Sequence, residues 1–189
     1  MATVLKIFAL GFAVSLCGDA AHVASGTTVY DWDGVPAIWR SAIWFPFAVG
    51  GAVLAAAWAS ERFAPPAVRR RSAADAVVAA GAVLALYALT AALRGEPATV
   101  SVVLTAGIAV AVWAWWDPSP RAFATAAAAA VLGPLGEAAI MAVGAAHYAP
   151  DSDDLIGVAP WLPCLYFAAG AVASGLWGAL SAAPASRPS

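Results

Sequence analysis

The sequence has few charged residues, and this shortage excludes most soluble folds. Charged side chains make up 11% of its 189 residues, whereas soluble domains carry about 25%. With 63% of the residues hydrophobic, a soluble fold of this size could not bury the excess, so the composition indicates an integral membrane protein. The net charge of −2 provides no basic face for phosphates, and we expect no nucleic-acid partner.

Cysteine is also scarce. Cys17 and Cys164 both fall inside apolar stretches. A disulfide framework or a cysteine-based metal site needs more cysteines at closer spacing, so we expect both to be small buried apolar residues. The sequence contains no nucleophile motif, zinc-protease motif or dinucleotide fingerprint. We therefore predict no cofactor, no metal and no enzymatic activity.

Long apolar stretches are abundant. Crossing a bilayer takes roughly 20 apolar residues, and six stretches of the chain are candidates, separated by Pro, Gly and Asp. The predicted fold class is all-α, a polytopic membrane protein with one six-helix domain over 1–182 and a short tail over 183–189. The predicted spans are 3–24, 37–60, 73–93, 98–116, 121–148 and 161–182.

Arginine and lysine predict the orientation of these spans. With six spans, the side that holds both termini carries seven of the nine basic residues, including the run at 69–71. The opposite side carries only Arg40 and Arg94. The positive-inside rule therefore predicts that both termini are cytoplasmic. The abundance of Ala and the preference for Arg over Lys indicate a GC-rich bacterial genome, so we expect the chain in the cytoplasmic membrane of a bacterial cell.

One carboxyl group lies in the middle of a predicted span. Glu137 follows G-P-L-G at 133–136, where Pro134 removes a backbone hydrogen bond and predicts a kink. Because charge is costly inside a membrane, Glu137 is a functional candidate, either as a contact for a lipid head group or as a proton relay. The alternative is a neutral carboxyl group that is hydrogen-bonded to a neighbouring helix.

Asp19 and His22 form a second polar candidate near the outer end of the first span. They are three residues apart and therefore share one face of a helix. Such a pair could relay protons or form half of a metal site, for which His147 is the only other histidine in the sequence. We favour a simpler interpretation, in which both are interfacial residues in contact with water.

Four segments carry a family resemblance through their order and spacing. They are S-A-I-W-F-P at 41–46, W-A-W-W-D at 113–117, G-A-A-H-Y-A-P-D at 144–151 and W-L-P-C-L-Y-F-A-A-G at 161–170. Each resembles the corresponding segment of the Insig proteins of the animal endoplasmic reticulum, and the last is similar to W-L-P-C-I-F-F-S-G-G of that family. The resemblance implies a six-helix fold with cytosolic termini and a function other than catalysis.

The same resemblance implies ligand and partner sites. Insig proteins bind oxysterols within the membrane and hold the sterol-sensing domains of Scap and HMG-CoA reductase. A family Gln falls on Val100, a family Phe on Val83 and a family Trp on Trp113. Loss of the amide should weaken recognition of a sterol hydroxyl. Asp117 matches a cytosolic-loop Asp that the family needs for Scap, although Pro118 follows where the family has Arg.

The sequence therefore predicts an Insig-like sensor or regulator that binds a membrane lipid, diacylglycerol or a sterol-like molecule, in an intramembrane cavity. Another membrane protein and a second copy of the chain are further expected partners. The alternative prediction is a small proton-coupled transporter that uses Glu137, with Asp19 and His22. The predicted ligand-binding residues are Trp44, Val83, Tyr87, Val100, Leu104, Trp113 and Glu137.

Overall fold

The computed structural model describes residues 1–31, 36–63, 67, 69 and 71–181. The predicted tail at 183–189 and Arg70 of the basic run lie outside these residues. The described part of the chain forms six α-helices and four short β-strands. The elements are α1 (Ala2–Ser25), β1 (Thr28–Tyr30), β2 (Ala37–Ile38), β3 (Ser41–Ala42), α2 (Trp44–Phe63), α3 (Ala73–Ala92), α4 (Ala98–Trp116), α5 (Pro120–Ala142), β4 (Ala146–Tyr148) and α6 (Leu162–Ser181).

Five of these helices, all but α2, are long and apolar enough to cross a membrane. The chain is therefore a multi-pass membrane protein with a mostly helical fold. Helix α2 has a similar length of 20 residues, but its last turn carries Glu61 and Arg62. A sixth crossing by α2 stays a prediction.

Helix α6 lies at the centre of the bundle and contacts all five other helices. Glycines allow the close approach, as is usual where helices pack in a membrane. A Cβ atom at Gly170 would lie 2.6 Å from the Cβ of Ala129 on α5, and one at Gly175 would lie 2.8 Å from the indole nitrogen of Trp116 on α4. The core of the protein is therefore arranged around α6.

Two predicted spans are longer than the helices that form. The predicted span 37–60 starts too early, because β2 and β3 pair as a short hairpin and α2 begins only at Trp44. The predicted span 121–148 ends too late, because α5 ends at Ala142 and Gly144 adopts a left-handed φ of 70°. Strand β4 then pairs antiparallel with β1, which ties the end of α1 to the end of α5.

Arg69 and Arg71 form a cap at the opposite end of the bundle. Arg69 Nη1 donates to the carbonyl of Trp115 at 3.0 Å, and Arg71 Nε donates to the carbonyl of Trp116 at 2.8 Å. The Arg71 guanidinium also lies 4.8 Å from the centre of the Trp115 ring. Because the last carbonyls of a helix have no partner within the helix, these arginines stabilise the end of α4.

Candidate functional site

A cavity of about 830 Å³ lies between α2 and α5 and is open on one side. Helix α6 forms its floor, and α1 and α3 add residues at one wall. Helices α2 and α5 make few contacts with each other, and many of the side chains that line the space on both are small. Six of these small residues are Ala52, Ala55, Ala56, Ala124, Ala128 and Gly136.

The lining is mostly apolar and carries one basic and one acidic side chain, one toward each end. These are Arg121 in the first turn of α5 and Glu137 in its last third. Sixteen residues separate them along α5, which at the helical rise corresponds to about 24 Å. The cavity therefore extends over most of the hydrocarbon thickness of a typical bilayer, which is about 30 Å.

Glu137 is buried and accepts hydrogen bonds from two phenols. Tyr148 donates to Oε2 at 2.5 Å and Tyr166 donates to Oε1 at 2.7 Å. Gly133, one turn earlier on α5, is what allows the second bond, because a Cβ atom there would lie 2.3 Å from Cγ of Tyr166. The α5 sequence thus positions the carboxyl group and makes room for its partner from α6.

The phenols from the β1–β4 ladder stay protonated. Burial, and after it the nearby Glu137 carboxyl, raise the pKa of Tyr148 well above its usual value. Burial and the Asp19 carboxyl likewise raise the pKa of Tyr30, whose hydroxyl donates to Asp19 Oδ2 at 2.7 Å. Both phenols are therefore hydrogen-bond donors to buried carboxyl groups at neutral pH.

A small chamber of about 10 Å³ lies beside the large cavity, at the Glu137 end. Its volume is close to that needed for one water molecule. Five side chains line both spaces and form the wall between them: Trp44, Phe45, Tyr87, Glu137 and Ile140. The polar side chains that complete the chamber include Asp19, His22, Thr28, Tyr30 and Tyr148.

The environment of Asp19 and His22 differs from the one expected from the sequence. We expected them to contact water at the interface, but their residues are only 4% and 3% exposed, because α2, α3 and the strands cover this face of α1. His22 Nε2 lies 2.8 Å from Thr90 Oγ1 and is not bonded to Asp19. His147 pairs with Asp31 at 2.7 Å instead, and the described residues contain no cluster of three or more metal-binding side chains.

Arg121 forms the polar end of the cavity nearest the α4–α5 turn. Its Nε donates to Ser60 Oγ at 3.0 Å and its Nη2 lies 3.2 Å from Glu61 Oε2. It also donates to the carbonyl of Ser174 on α6. The buried guanidinium therefore joins α2, α5 and α6 at this end of the cavity.

Comparison with known proteins places this geometry in a family. No protein-family model matches the chain. It is 41% identical over 178 residues to an INSIG protein homolog from Mycolicibacterium vanbaalenii, a match that covers 94% of this chain and 85% of that protein. The chain belongs to the Insig family. Sequence analysis had indicated this family through four segments, and that prediction is confirmed.

Solved structures of a mycobacterial Insig homolog, MvINS from Mycobacterium vanbaalenii, have the same fold. One crystal structure superposes with a TM-score of 0.90 at 36% identity, covering 100% of this chain and 97% of the other. A structure of a cross-linked MvINS trimer gives the same TM-score at 37% identity with the same coverage. The six-helix arrangement described above is thus shared by this Insig family member and an experimentally determined relative.

The structure brings together four of the seven predicted ligand-binding residues. Trp44, Val83, Tyr87 and Glu137 line the large cavity. The other three lie on α4, which does not reach the cavity: Val100 and Leu104 are 39% and 44% exposed on the surface of the bundle. Trp113 packs against the Phe123 ring at 5.8 Å. Binding of a ligand by any of the seven stays a prediction.

Asp117, the predicted partner contact, is buried in the turn between α4 and α5. It is 1% exposed, and its Oδ2 accepts a hydrogen bond from Ser119 Oγ at 2.9 Å. Ser119 in turn accepts from the backbone N–H of Ala122 and caps α5. The Asp117 side chain shapes the turn and is not displayed at the surface, and its role in partner binding stays a prediction.

Sequence reasoning missed two contributors to the site. It treated Arg121 as a boundary residue and gave Tyr166 no role. A tyrosine within an apolar span was a usable signal, because a buried phenol needs a hydrogen-bond partner. Nothing in the local sequence indicated that Arg121 faces inward, because that depends on the packing of α2 and α6 around it.

Proposed function

We propose that this Insig family member binds an amphipathic lipid, either diacylglycerol or a sterol-like molecule, in the cavity between α2 and α5. In this proposal it acts as a sensor or regulator in the bacterial cytoplasmic membrane and not as an enzyme. The observation that carries the proposal is the apolar space of about 830 Å³ with a buried carboxyl group at one end.

The size and lining of the cavity support a lipid occupant. Ligand pockets usually measure roughly 300–1,000 Å³ and combine apolar walls with a few polar groups. Small Ala and Gly side chains leave room for an acyl chain or a sterol ring system, and Glu137 and Tyr87 supply polarity at one end. The open side between α2 and α5 lets such a molecule enter from the bilayer without crossing water.

Regulation follows from a difference in affinity between conformations. A lipid bound between α2 and α5 stabilises the arrangement of the two helices that it binds most tightly. The stabilisation cannot exceed the difference between its binding free energies for the two arrangements. Helix α5 begins at the turn that holds Asp117, so a change in the position of α5 alters the shape of that turn. A partner membrane protein that binds the turn would then respond to the lipid.

A photoreactive diacylglycerol tests the binding proposal on the purified protein in nanodiscs. The variant Gly136→Phe fills the cavity, since Gly136 lines it and nothing lies within 4 Å of a Cβ atom built there. The matched control is Gly51→Phe on α2, which also faces open space but does not line the cavity. We expect Gly136→Phe to lose most of the labelling and Gly51→Phe to keep it. Equal labelling of both variants contradicts the proposal.

The proposal includes six crossings with both termini in the cytoplasm. The distribution of basic residues supports it. Single-cysteine variants Lys6→Cys and Glu96→Cys, in a background without Cys17 and Cys164, test it by labelling intact cells with an impermeant maleimide. We expect Glu96→Cys to react and Lys6→Cys not to react. Reaction of Lys6→Cys would mean that the termini face outward.

We also propose that the chain forms homo-oligomers, supported by the solved cross-linked trimer of MvINS. Native mass spectrometry from mild detergent measures the number of copies directly. We expect a trimer as the main species. A purely monomeric spectrum over a wide range of protein concentrations would count against assembly.

A second candidate function is proton-coupled transport. It is favoured by the small chamber, which brings Asp19, His22 and Glu137 to one space. Glu137→Gln distinguishes the two functions in proteoliposomes with a pH-sensitive dye. A carrier loses proton flux in this variant, whereas a lipid-binding protein shows no flux before or after the substitution.

A further inference from the structure

The hairpin between α1 and α2 buries its second strand and exposes its turn. Ser41 and Ala42 of β3 are fully buried, because β3 packs on α1 and α2. Strand β2 contacts mainly β3, and the turn residues Trp39 and Arg40 are exposed, Trp39 to 73%. The hairpin therefore holds one aromatic and one basic side chain, the Trp39–Arg40 tip, at the periphery of the bundle.

The backbone at Trp39 is strained. The pairing of β2 with β3 leaves only Trp39 and Arg40 to form the turn. Trp39 has a φ of 56°, a left-handed value that two-residue hairpins usually give to glycine or asparagine. A bulky L-residue adopts this conformation at a cost, since its Cβ approaches the neighbouring carbonyl oxygen. Formation of the turn therefore does not account for a tryptophan at this position, and we look for a contact outside the chain.

A second turn at the same end of the bundle is strained in the same way but has a different charge. It follows β4, which pairs with β1, and its residues Ile156 and Gly157 have φ values of 47° and 82°. Ile156 is 61% exposed. The exposed carboxylates of Asp153 and Asp154 precede it in the chain, so this turn would repel a phosphate. It provides a matched comparison for the hairpin.

The Trp39–Arg40 tip has the chemistry of a head-group contact. It lies shortly before Trp44, where α2 begins, which places it near the level of the bilayer surface. Tryptophan is enriched at that level because its ring is amphipathic. The arginine fork matches the oxygens of a phosphate. No hydrogen bond, ion pair or ring contact joins either side chain to another described residue, so both are available to a lipid.

We propose that the Trp39–Arg40 tip is an interfacial anchor, which places the indole among phospholipid head groups and pairs the guanidinium with a phosphate. Contact with the bilayer offsets the strain at Trp39, and a turn surrounded by water would gain nothing from it. Since β3 leads into α2, the anchor fixes the start of this wall of the cavity relative to the bilayer surface. The proposal goes beyond lipid binding in the cavity and does not depend on it.

Depth-dependent fluorescence quenching tests the anchor on the full chain in nanodiscs. The chain has nine tryptophans, so the Trp39 signal is the difference between the unaltered protein and Trp39→Phe. The quenchers are aqueous iodide and phosphatidylcholines brominated either near the carboxyl end or near the middle of their acyl chains. We expect the lipid brominated near the carboxyl end to quench the Trp39 signal most. The corresponding signal of Trp161, which is 4% exposed, should respond to none of the quenchers.

Two results would overturn the proposal. If iodide quenches the Trp39 signal most strongly, the tip faces water and the bilayer is not its partner. If the lipid brominated at mid-chain is the strongest quencher, the indole lies below the head groups, where Arg40 meets no phosphate.

Asparagine variants separate the anchor from the relief of strain. Because asparagine tolerates a left-handed φ, Trp39→Asn and Ile156→Asn should each raise Tm in nonionic detergent by about 1–4 °C. In nanodiscs Ile156→Asn should retain its gain, whereas Trp39→Asn should melt below the unaltered protein, because it lacks the bilayer contact. Equal gains of both variants in nanodiscs contradict the anchor.

Arg40→Gln tests the phosphate contact separately. It should lower Tm in nanodiscs of phosphatidylglycerol and leave Tm unchanged in nonionic detergent, which contains no phosphate. The loss in nanodiscs should shrink at high salt, because salt screens an exposed ion pair. The same Tm for Arg40→Gln and the unaltered protein in nanodiscs would show that Arg40 binds no phosphate.

Discussion

Gly133→Ala is expected to destabilise the protein, although alanine is the better helix former. The added Cβ would lie 2.3 Å from Cγ and Cδ1 of Tyr166, at the base of the ring and not at a flexible end. The ring must therefore move away from α5. Its hydroxyl then leaves Glu137 Oε1, to which it donates at 2.7 Å. One methyl group on α5 thus removes a partly buried hydrogen bond one turn away.

The structure gives the magnitude as a balance of three effects on the free energy of unfolding. Overpacking a core costs about 1–3 kcal/mol. Loss of a hydrogen bond to a carboxylate costs about 1.5–3 kcal/mol. Replacing glycine by alanine inside a helix stabilises the helix by about 1 kcal/mol, which offsets part of this loss. The net expectation is a loss of roughly 1.5–5 kcal/mol, which for a chain of this length lowers Tm by roughly 3–20 °C.

Thermal unfolding in mild detergent, followed by tryptophan fluorescence, measures this change. The matched control is Gly136→Ala, three residues further along α5, where a Cβ atom meets nothing within 4 Å. We expect the control to keep or slightly raise Tm. If Gly133→Ala and Gly136→Ala give the same Tm, the close packing of Tyr166 on α5 is refuted. The double variant Gly133→Ala with Tyr166→Phe should cost less than the sum of the two single changes, because they share one hydrogen bond.

Three further expectations concern other parts of the bundle. Gly18→Ala should lower Tm in the same way, because its Cβ would lie 2.3 Å from the Tyr87 ring, whereas Gly81→Ala should not, since it faces open space. Arg71→Ala should lower the free energy of unfolding by about 1–2 kcal/mol, because the Trp116 carbonyl at the end of α4 loses its Arg71 donor while Arg69 still donates to Trp115. An unchanged Tm would mean that the Arg71 bond contributes no stability. Asp117→Ala should cost about 1 kcal/mol in chemical denaturation through loss of the Ser119 bond, and Asp117→Asn, which retains an acceptor, should cost less.

Hydropathy and charge were sufficient to predict where the helices lie in the sequence, but not which helices pack against one another. Helix α4 is apolar on every face, so its sequence does not indicate which face meets lipid and which meets protein. The family resemblance places Val100 at a ligand site, yet Val100 and Leu104 lie on the exposed surface of α4, away from the cavity, and their part in ligand binding stays a prediction. The structure shows α4 packed on α3 and α6, on the far side from the cavity. Contacts between helices are set by packing of small residues, which hydropathy does not report.

Polar residues inside the predicted spans were more informative about the candidate site than hydropathy was. The cost of burying a carboxyl group identified Glu137 as a candidate, and the structure places it on the cavity wall with two donors. Its partner Tyr148 was expected in a helix and lies in a strand, because Gly144 ends α5 and the following residues pair with β1. Strands this short carry almost no periodicity, so the ladder could not be predicted from sequence.

The central position of α6 has a consequence for biosynthesis. Of the six described helices, α6 is the last to leave the ribosome, yet it is the one that all the others contact. Until it is inserted, α2 and α5 have almost no direct contact to hold them in register. The cavity is incomplete on the nascent chain until α6 is inserted, since α6 forms its floor and is synthesised after α2 and α5, whereas α1, α2 and α3 can pack on one another before that step.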